Sequence, residues 1–449
     1  MSISLFDIAG PIMVGPSSSH TAGANQIGKE AFAKLKNRPE IIEITLFNSF
    51  ADTGEGHSTD KAILAGCLGI SCYEEKLKES FSIADSLGVK YKISKRHSKK
   101  YHPNTAEIKM RYKDNFVHIL GISLGGGRAI TKDFANAQTT DYSKERTSIK
   151  SLSQKDPFYS FTGFIKDYDK TPDKIIDILI AREKDLSGKN EIEIRQSMIE
   201  IWHIMKRGIT ENVKLKDKML QGLCGGDANL MKKADNLFLL NDLTKNAMAY
   251  AMAIGERNVS MGQIVAIPTA GSAGILAGCL YSLWENRQIS EEHIINALLI
   301  ASAIGLTAAI RATLAGAEAG CQAECGVASA MAAGAITYIQ GGSVDKIDNA
   351  AGLALGNALG LVCDPVGGIV AVPCIQRNGL YANMAIASAA MTLAGINFVI
   401  YLDEVLDAMM GVGREMSIAF RETSRGGLAR TKTGVEYTKK ILSHRPTKS

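Results

Sequence analysis

IINALLIASAIGLTAAI (residues 294–310), GVASAMAAGAITYIQGGSV (326–344) and MAIASAAMTLAGINFVIYL (384–402) contain no charged side chain. Each reaches or approaches the roughly 20 apolar residues that cross a bilayer, so their reading separates a membrane protein from a packed helical core. They are built from Ala, Gly, Ser and Thr more than from Leu and Phe, and they lack flanking aromatic belts or a basic asymmetry in their loops. We read them as buried helices of a soluble, all-α, Gly/Ala-rich bundle with no membrane partner. The rival reading is a small-residue-rich membrane transporter.

Helical patterning extends back from these stretches to Asp173, through KIIDILIAREKDL (174–186) and EIRQSMIEIWHIMKRGITENV (193–213). Ahead of it the pattern changes. IIEITLF (41–47), VKYKIS (89–94), TAEIKMRYK (105–113) and FVHILGISL (116–124) are short, alternating and rich in β-branched residues, which predicts strands, the last two paired through the turn at 113–115. The expected fold is therefore α+β. An N-terminal mixed α/β domain with antiparallel strands spans 1–130, a polar linker 131–172, and a larger all-α domain 173–449.

A chain of 449 residues with 46% hydrophobic and 22% charged residues has the makings of a large globular core. The net charge of +5 is weak for that length and no basic, aromatic-interleaved surface stands out, so no nucleic-acid partner is expected. The N-terminal MSISLFDIAGPIMVG has neither the basic region nor the apolar run of a secretory signal, which makes the cytoplasm the expected compartment and reduced thiols the expected state.

Four of the eight cysteines lie close together in sequence: Cys321 and Cys325 in GCQAEC, Cys363 and Cys374 in LGLVCDPVGGIVAVPCIQRNG. Glycines beside them supply backbone that folds tightly around something small. Any one of them alone reads as a small buried hydrophobe; the group reads as a metal or cluster site. Four thiolates would close an iron-sulfur centre for electron transfer, whereas three would leave one iron open as a Lewis acid. Cys325, four residues after Cys321, permits either.

Histidines occupy polar or Gly-rich turns at His20 (PSSSHT), His57 (GEGHSTD) and His102 (YHPNT). Imidazole has the pKa range to take a proton from a carbon beside a carboxylate. Ser17, Ser18, Ser19 and Thr21 cluster at a predicted helix start, with Ser18 or Ser19 as N-cap, where hydroxyls and free N–H groups suit a carboxylate. Thr269, Gly271 and Ser272 in PTAGSAG form a second such nest. Between Lys245 and Lys432 the only lysine is Lys346, in the turn GGSVDKID, which leaves no good Schiff-base residue for pyridoxal phosphate.

SLFDIAGPIMVGPSSSHTAGA, SFADTGEGHSTD, HPNTAEI and GISLGGG in the first part, then GGDAN, IPTAGSAG, GAEAGCQAE, LGLVCDPVGG, VPCIQRN and RETSRGGLA, follow in an order that resembles the iron-sulfur-dependent L-serine dehydratases over nearly the whole chain. The resemblance implies a 4Fe-4S cluster held by Cys321, Cys363 and Cys374, with Cys325 a bystander. It implies an amino-acid substrate, L-serine, whose carboxylate and hydroxyl bind the open iron and which is deaminated to pyruvate and ammonia. His57 and His20 are then the candidates for base and substrate-orienting group. A homodimer is expected. Arg311-Ala-Thr stands where the family pattern has Asn-Ala-Ser; Arg311 is either a contact for an extra anionic group on another β-substituted amino acid or half of a structural ion pair.

Overall fold

The computed structural model describes residues 3–137, 154–168, 171–235 and 239–443. Its strands are β1 (Ile12–Val14), β2 (Ile41–Phe47), β3 (Lys90–Arg96), β4 (Thr105–Tyr112), β5 (Asn115–Gly125), β6 (Arg128–Asp133) and β7 (Gln263–Val265). The five central ones form one sheet in the order β3-β2-β4-β5-β6.

Alternation decides which face of that sheet is buried. Ile42, Ile44 and Leu46 of β2, with Ala106, Ile108 and Met110 of β4, share a core with Ile27 and Ala31 of the helix Gly23–Leu35 and Ile63 and Leu64 of the helix Thr59–Cys67. The expected antiparallel arrangement holds for β2-β4-β5-β6, but β3 runs parallel to β2. The physical reason is the connection: the chain crosses from β2 to β3 through helices and so re-enters the sheet in the same direction.

The two helices packed on the sheet touch through backbone. A Cβ at Gly28 would lie 2.4 Å from the Ile63 carbonyl oxygen, and one at Gly66 2.2 Å from that of Asn25. Gly28→Ala should accordingly cost about 1–3 kcal/mol, read as a lowered denaturation midpoint.

The larger unit is helical and holds the three uncharged stretches. Among the described residues one helix, Glu291–Arg311, is long and apolar enough to cross a membrane, and 83% of its apolar window is buried inside the protein. The second stretch lies mostly in the buried helix Cys325–Ile339. The third is not one helix. Gly395 adopts φ +98° after the helix Cys374–Leu393, and the chain resumes only at Leu402–Glu415.

Two features depart from a simple division into domains. β7, inside the stretch expected to be all-α, pairs antiparallel with β1, Ile12 opposite Val265 and Val14 opposite Gln263. Leu5, Ile8, Met13 and Ala22 pack in the helical unit's core, as do Phe158, Phe161 and Phe164 from the stretch read as linker; residues 138–153 of that stretch lie outside the described residues. The aromatic FYSFTGF motif has enough apolar area to anchor there, which its polar surroundings obscure in the sequence. Residues 3–22 thus carry PSSSHT into the seam between the two units.

Candidate active site

The four cysteines reach the seam from three directions. Gly320, at φ +73° and with no room for a Cβ beside Met416 and the Leu361 carbonyl, turns the chain so that Cys321 opens a short 3-10 turn and Cys325 starts the helix Cys325–Ile339. Cys363 sits in an isolated bridge: its N–H donates to the Phe420 carbonyl at 2.8 Å, and its own carbonyl accepts from the Glu422 N–H at 3.0 Å. Cys374 is the first residue of the helix Cys374–Leu393. All four line one small cavity, and all eight cysteines are free thiols.

Cys321 Sγ lies 3.8 Å from Cys325 Sγ and 3.8 Å from Glu324 Oε2, and Cys363 Sγ is also 3.8 Å from Glu324 Oε2. Thiol donors from Cys325 and Cys363 hold Cys321 well below the usual thiol range, despite burial. Cys325 and Cys363, as the donors, are pushed up, and burial raises Cys374. Of the four, Cys321 is thus the thiol whose surroundings most favour the thiolate. Arg377 braces it, donating to the Val362 carbonyl and to Asp364 Oδ1, both at 2.9 Å.

Facing the sulfurs are His57 and Glu422, with His20 behind them, all three buried. Their hydrogen bonds fix both tautomers. His57 Nδ1 is 3.1 Å from the Thr53 carbonyl, which can only accept, so the proton sits on Nδ1 and Nε2 carries the lone pair. That Nε2 has no hydrogen-bond partner. Ser49 Oγ donates to the Glu422 carbonyl at 3.2 Å and so accepts from His20 Nε2 at 3.0 Å, leaving the lone pair of His20 on Nδ1. His20 Nδ1 is 3.4 Å and His57 Nε2 3.8 Å from Glu422 Oε1.

Desolvation keeps all three neutral. It lowers His57 to about 4 and His20 well below its usual value, and raises Glu422 to about 8. At neutral pH the pairs are therefore a carboxylic acid beside two free bases, not ion pairs. An NMR pH titration of the His57 ring should accordingly show its inflection toward pH 4 and none near 6.5. The stability contribution of His57 has the matching sign. It is complete above pH 6.5 and is lost as pH falls toward 4, because only the unfolded chain takes up the proton in that window.

The remaining sequence candidates divide. Ser17 and Gly271 line the cavity. Ser17, not Ser18 or Ser19, is the cap, accepting from the His20 N–H at 3.1 Å. The difference arises because the first turn, Ser18–Ala22, is a π-turn, which moves the capping position back. Ser18 is buried away from the cavity; Ser19 Oγ bonds His20 Nδ1 at 3.0 Å, and Thr21 Oγ1 donates to the His57 carbonyl at 2.7 Å. Thr269 and Ser272 bond each other at 3.0 Å. His102 stands apart, 3.4 Å from Glu318. Arg311 is not at the cavity: it grips Asp407 with two bonds, of 3.0 and 2.6 Å, and its guanidinium lies over the Tyr159 ring. It is a structural ion pair.

Sequence reasoning passed over Glu324, Glu422, Arg377 and Ser49. Glu324 had a partial signal, being the one charge in the cysteine-bearing GCQAEC, whereas Glu422, flanked by Arg421 and Arg425, had none. Ser49 and Arg377 had none, since their roles depend on partners distant in sequence. Asn258 is another such residue, joining the two hydroxyl-bearing turns by donating to the Pro16 and Ala270 carbonyls at 2.9 and 3.1 Å.

Comparison with known proteins places this geometry in context. Residues 170–429 match the family described as serine dehydratase alpha chain, and residues 4–124 the serine dehydratase beta chain. An L-serine dehydratase of Streptomyces coelicolor is 31% identical over 96% of this chain and 99% of its own length. The L-serine dehydratase TdcG of Escherichia coli is 31% identical over 95% of this chain and 98% of its own. A probable L-serine dehydratase alpha chain of Bacillus subtilis is 42% identical over 60% of this chain and 90% of its own.

Proposed function

Because the chain belongs to the serine dehydratase family, with the beta-chain and alpha-chain portions in one polypeptide, we propose that it deaminates L-serine to pyruvate and ammonia at the seam between its two units. The observation that carries this reading is the unpartnered lone pair of His57 Nε2 lining the same buried cavity as Cys321, Cys363 and Cys374.

The donor set fits a 4Fe-4S cluster. Three thiols converge from separate segments with Arg377 to offset thiolate charge, and two buried polar atoms, His57 Nε2 and Glu422 Oε2, lack any protein partner. Cys321, Cys363 and Cys374 would hold the cluster, and Cys325 would remain a neighbouring thiol. When bound, the cluster supplies a Lewis-acid iron with a position free of thiolate, which polarises the hydroxyl that leaves.

The chain's own residues supply the rest. Ser17 and the Gly271 turn face the cavity where the substrate carboxylate is to be held. His57 Nε2, neutral and with its other nitrogen tied to Thr53, takes the α-proton. Glu422 and His20 flank that nitrogen and orient it. Near-complete burial keeps bulk water from the aminoacrylate until it is released and hydrolyses to pyruvate and ammonia. Eight unpaired thiols support a reducing, cytoplasmic setting, and a homodimer is part of the same proposal.

A substrate panel tests specificity. Anaerobically reconstituted protein should release 2-oxo acid from L-serine in preference to a β-anionic analogue, because Arg311 is held by Asp407 and does not line the cavity; L-threonine and L-cysteine complete the panel. Equal rates on a β-anionic analogue would point to the alternative substrate class.

A further inference from the structure

We infer that His20, His57 and Glu422 form a divalent-cation site of the zinc type, and that occupation of it switches the enzyme off. The site stands on geometry; the inhibition rests on His57 being the base, as proposed above.

Zinc binds the lone pairs of neutral imidazoles and a carboxylate, and its histidine ligands donate their other N–H to an oxygen that fixes the tautomer. Both imidazoles already meet that condition. His57 donates from Nδ1 to the Thr53 carbonyl and His20 from Nε2 to Ser49 Oγ, so the His57 lone pair is unshared beside Glu422, while that of His20 accepts from Ser19 Oγ at 3.0 Å, a bond that zinc would replace by turning the hydroxyl away. The three donor atoms lie within 4.8 Å of one another, with His20 Nδ1 and His57 Nε2 at 3.4 and 3.8 Å from Glu422 Oε1. A tetrahedral zinc with bonds of 2.0–2.1 Å separates its ligand atoms by about 3.4 Å, so small ring rotations complete the set. His57 Nε2 and Glu422 Oε2 are buried without a partner, which is costly unless something binds them. The fourth position is available from the cavity that His57 and Glu422 line. Binding replaces the carboxyl proton of Glu422, which leaves to solvent, and ties up the lone pair that removes the α-proton.

Four thiols line the adjoining cavity, so the test uses the anaerobic holoenzyme, in which the cluster would occupy three of them and leave only Cys325 free. Zinc chloride is titrated against a chromophoric zinc indicator, and the zinc X-ray absorption edge is recorded. One zinc per chain, with nitrogen and oxygen neighbours only, is expected, together with loss of pyruvate release that a zinc chelator reverses. Glu422→Gln and His20→Gln should each weaken zinc binding by about 100-fold or more. Sulfur neighbours, no bound zinc, or unchanged affinity in both variants would overturn the site, and the spectrum of the unaltered protein decides even where a variant misfolds. His57→Gln separates this inference from the base assignment. Loss of zinc with full turnover sinks the base and leaves the cation site; loss of turnover with unchanged zinc affinity does the opposite.

Discussion

Anaerobically prepared Cys363→Ala protein is expected to be colourless and to release pyruvate from L-serine about a thousandfold more slowly than the unaltered enzyme, or slower. The size follows from removing a Lewis acid that contributes several kcal/mol at the departing hydroxyl. Cys363 is the informative position because its backbone is bridged to the loop carrying Glu422, so the substitution removes a sulfur without freeing the loop. Cys321→Ala and Cys374→Ala should behave alike. Cys325→Ala should not: although its sulfur is only 3.8 Å from Cys321, it is expected outside the ligand set, so the variant should stay brown and active. Iron and sulfide content measured beside turnover checks all four, and equal loss at Cys325 would make the centre a four-thiolate one.

His57→Gln should lower kcat by about 10²–10⁴-fold, the usual range for a general base, while leaving colour and iron content unchanged. Retained cluster with lost turnover is the signature that separates a proton-transfer role from a structural one. His20→Gln should fall less, because His20 acts on Glu422 and Ser49 and does not line the cavity. Solvent exchange of the serine α-hydrogen gives a second readout. His57→Gln should abolish it, and persistence of exchange would assign the base elsewhere.

Much of this arrangement is written in local sequence. Alternation in IIEITLF, charge-free helices of small residues, and histidines in tight Gly- or Ser-rich turns are signals carried within ten or twenty residues. What could not be read is the pairing of distant segments. β7 is three residues of ordinary composition whose strand character comes from β1, some 250 residues earlier in the chain. The parallel entry of β3 depends on how the intervening helices cross the sheet. The two carboxylates of the site look like surface residues in sequence; burial at the seam is what turns Glu422 into a neutral acid, pushed up to about 8. Arg311 shows the same limit: its unusual position in a familiar motif left substrate contact and a structural ion pair both open, and Asp407, on another helix, decides for the ion pair.

The central claim is that the seam cavity is built around a metal centre with three cysteine ligands and one open iron. Anomalous diffraction at the iron edge from anaerobically grown crystals tests it most directly. Iron bonded to Cys321, Cys363 and Cys374 is expected, with one iron without a protein ligand facing His57 and no bond to Cys325. Iron ligated by Cys325 as a fourth thiolate, or no iron at these sulfurs in protein that turns over L-serine, would contradict it.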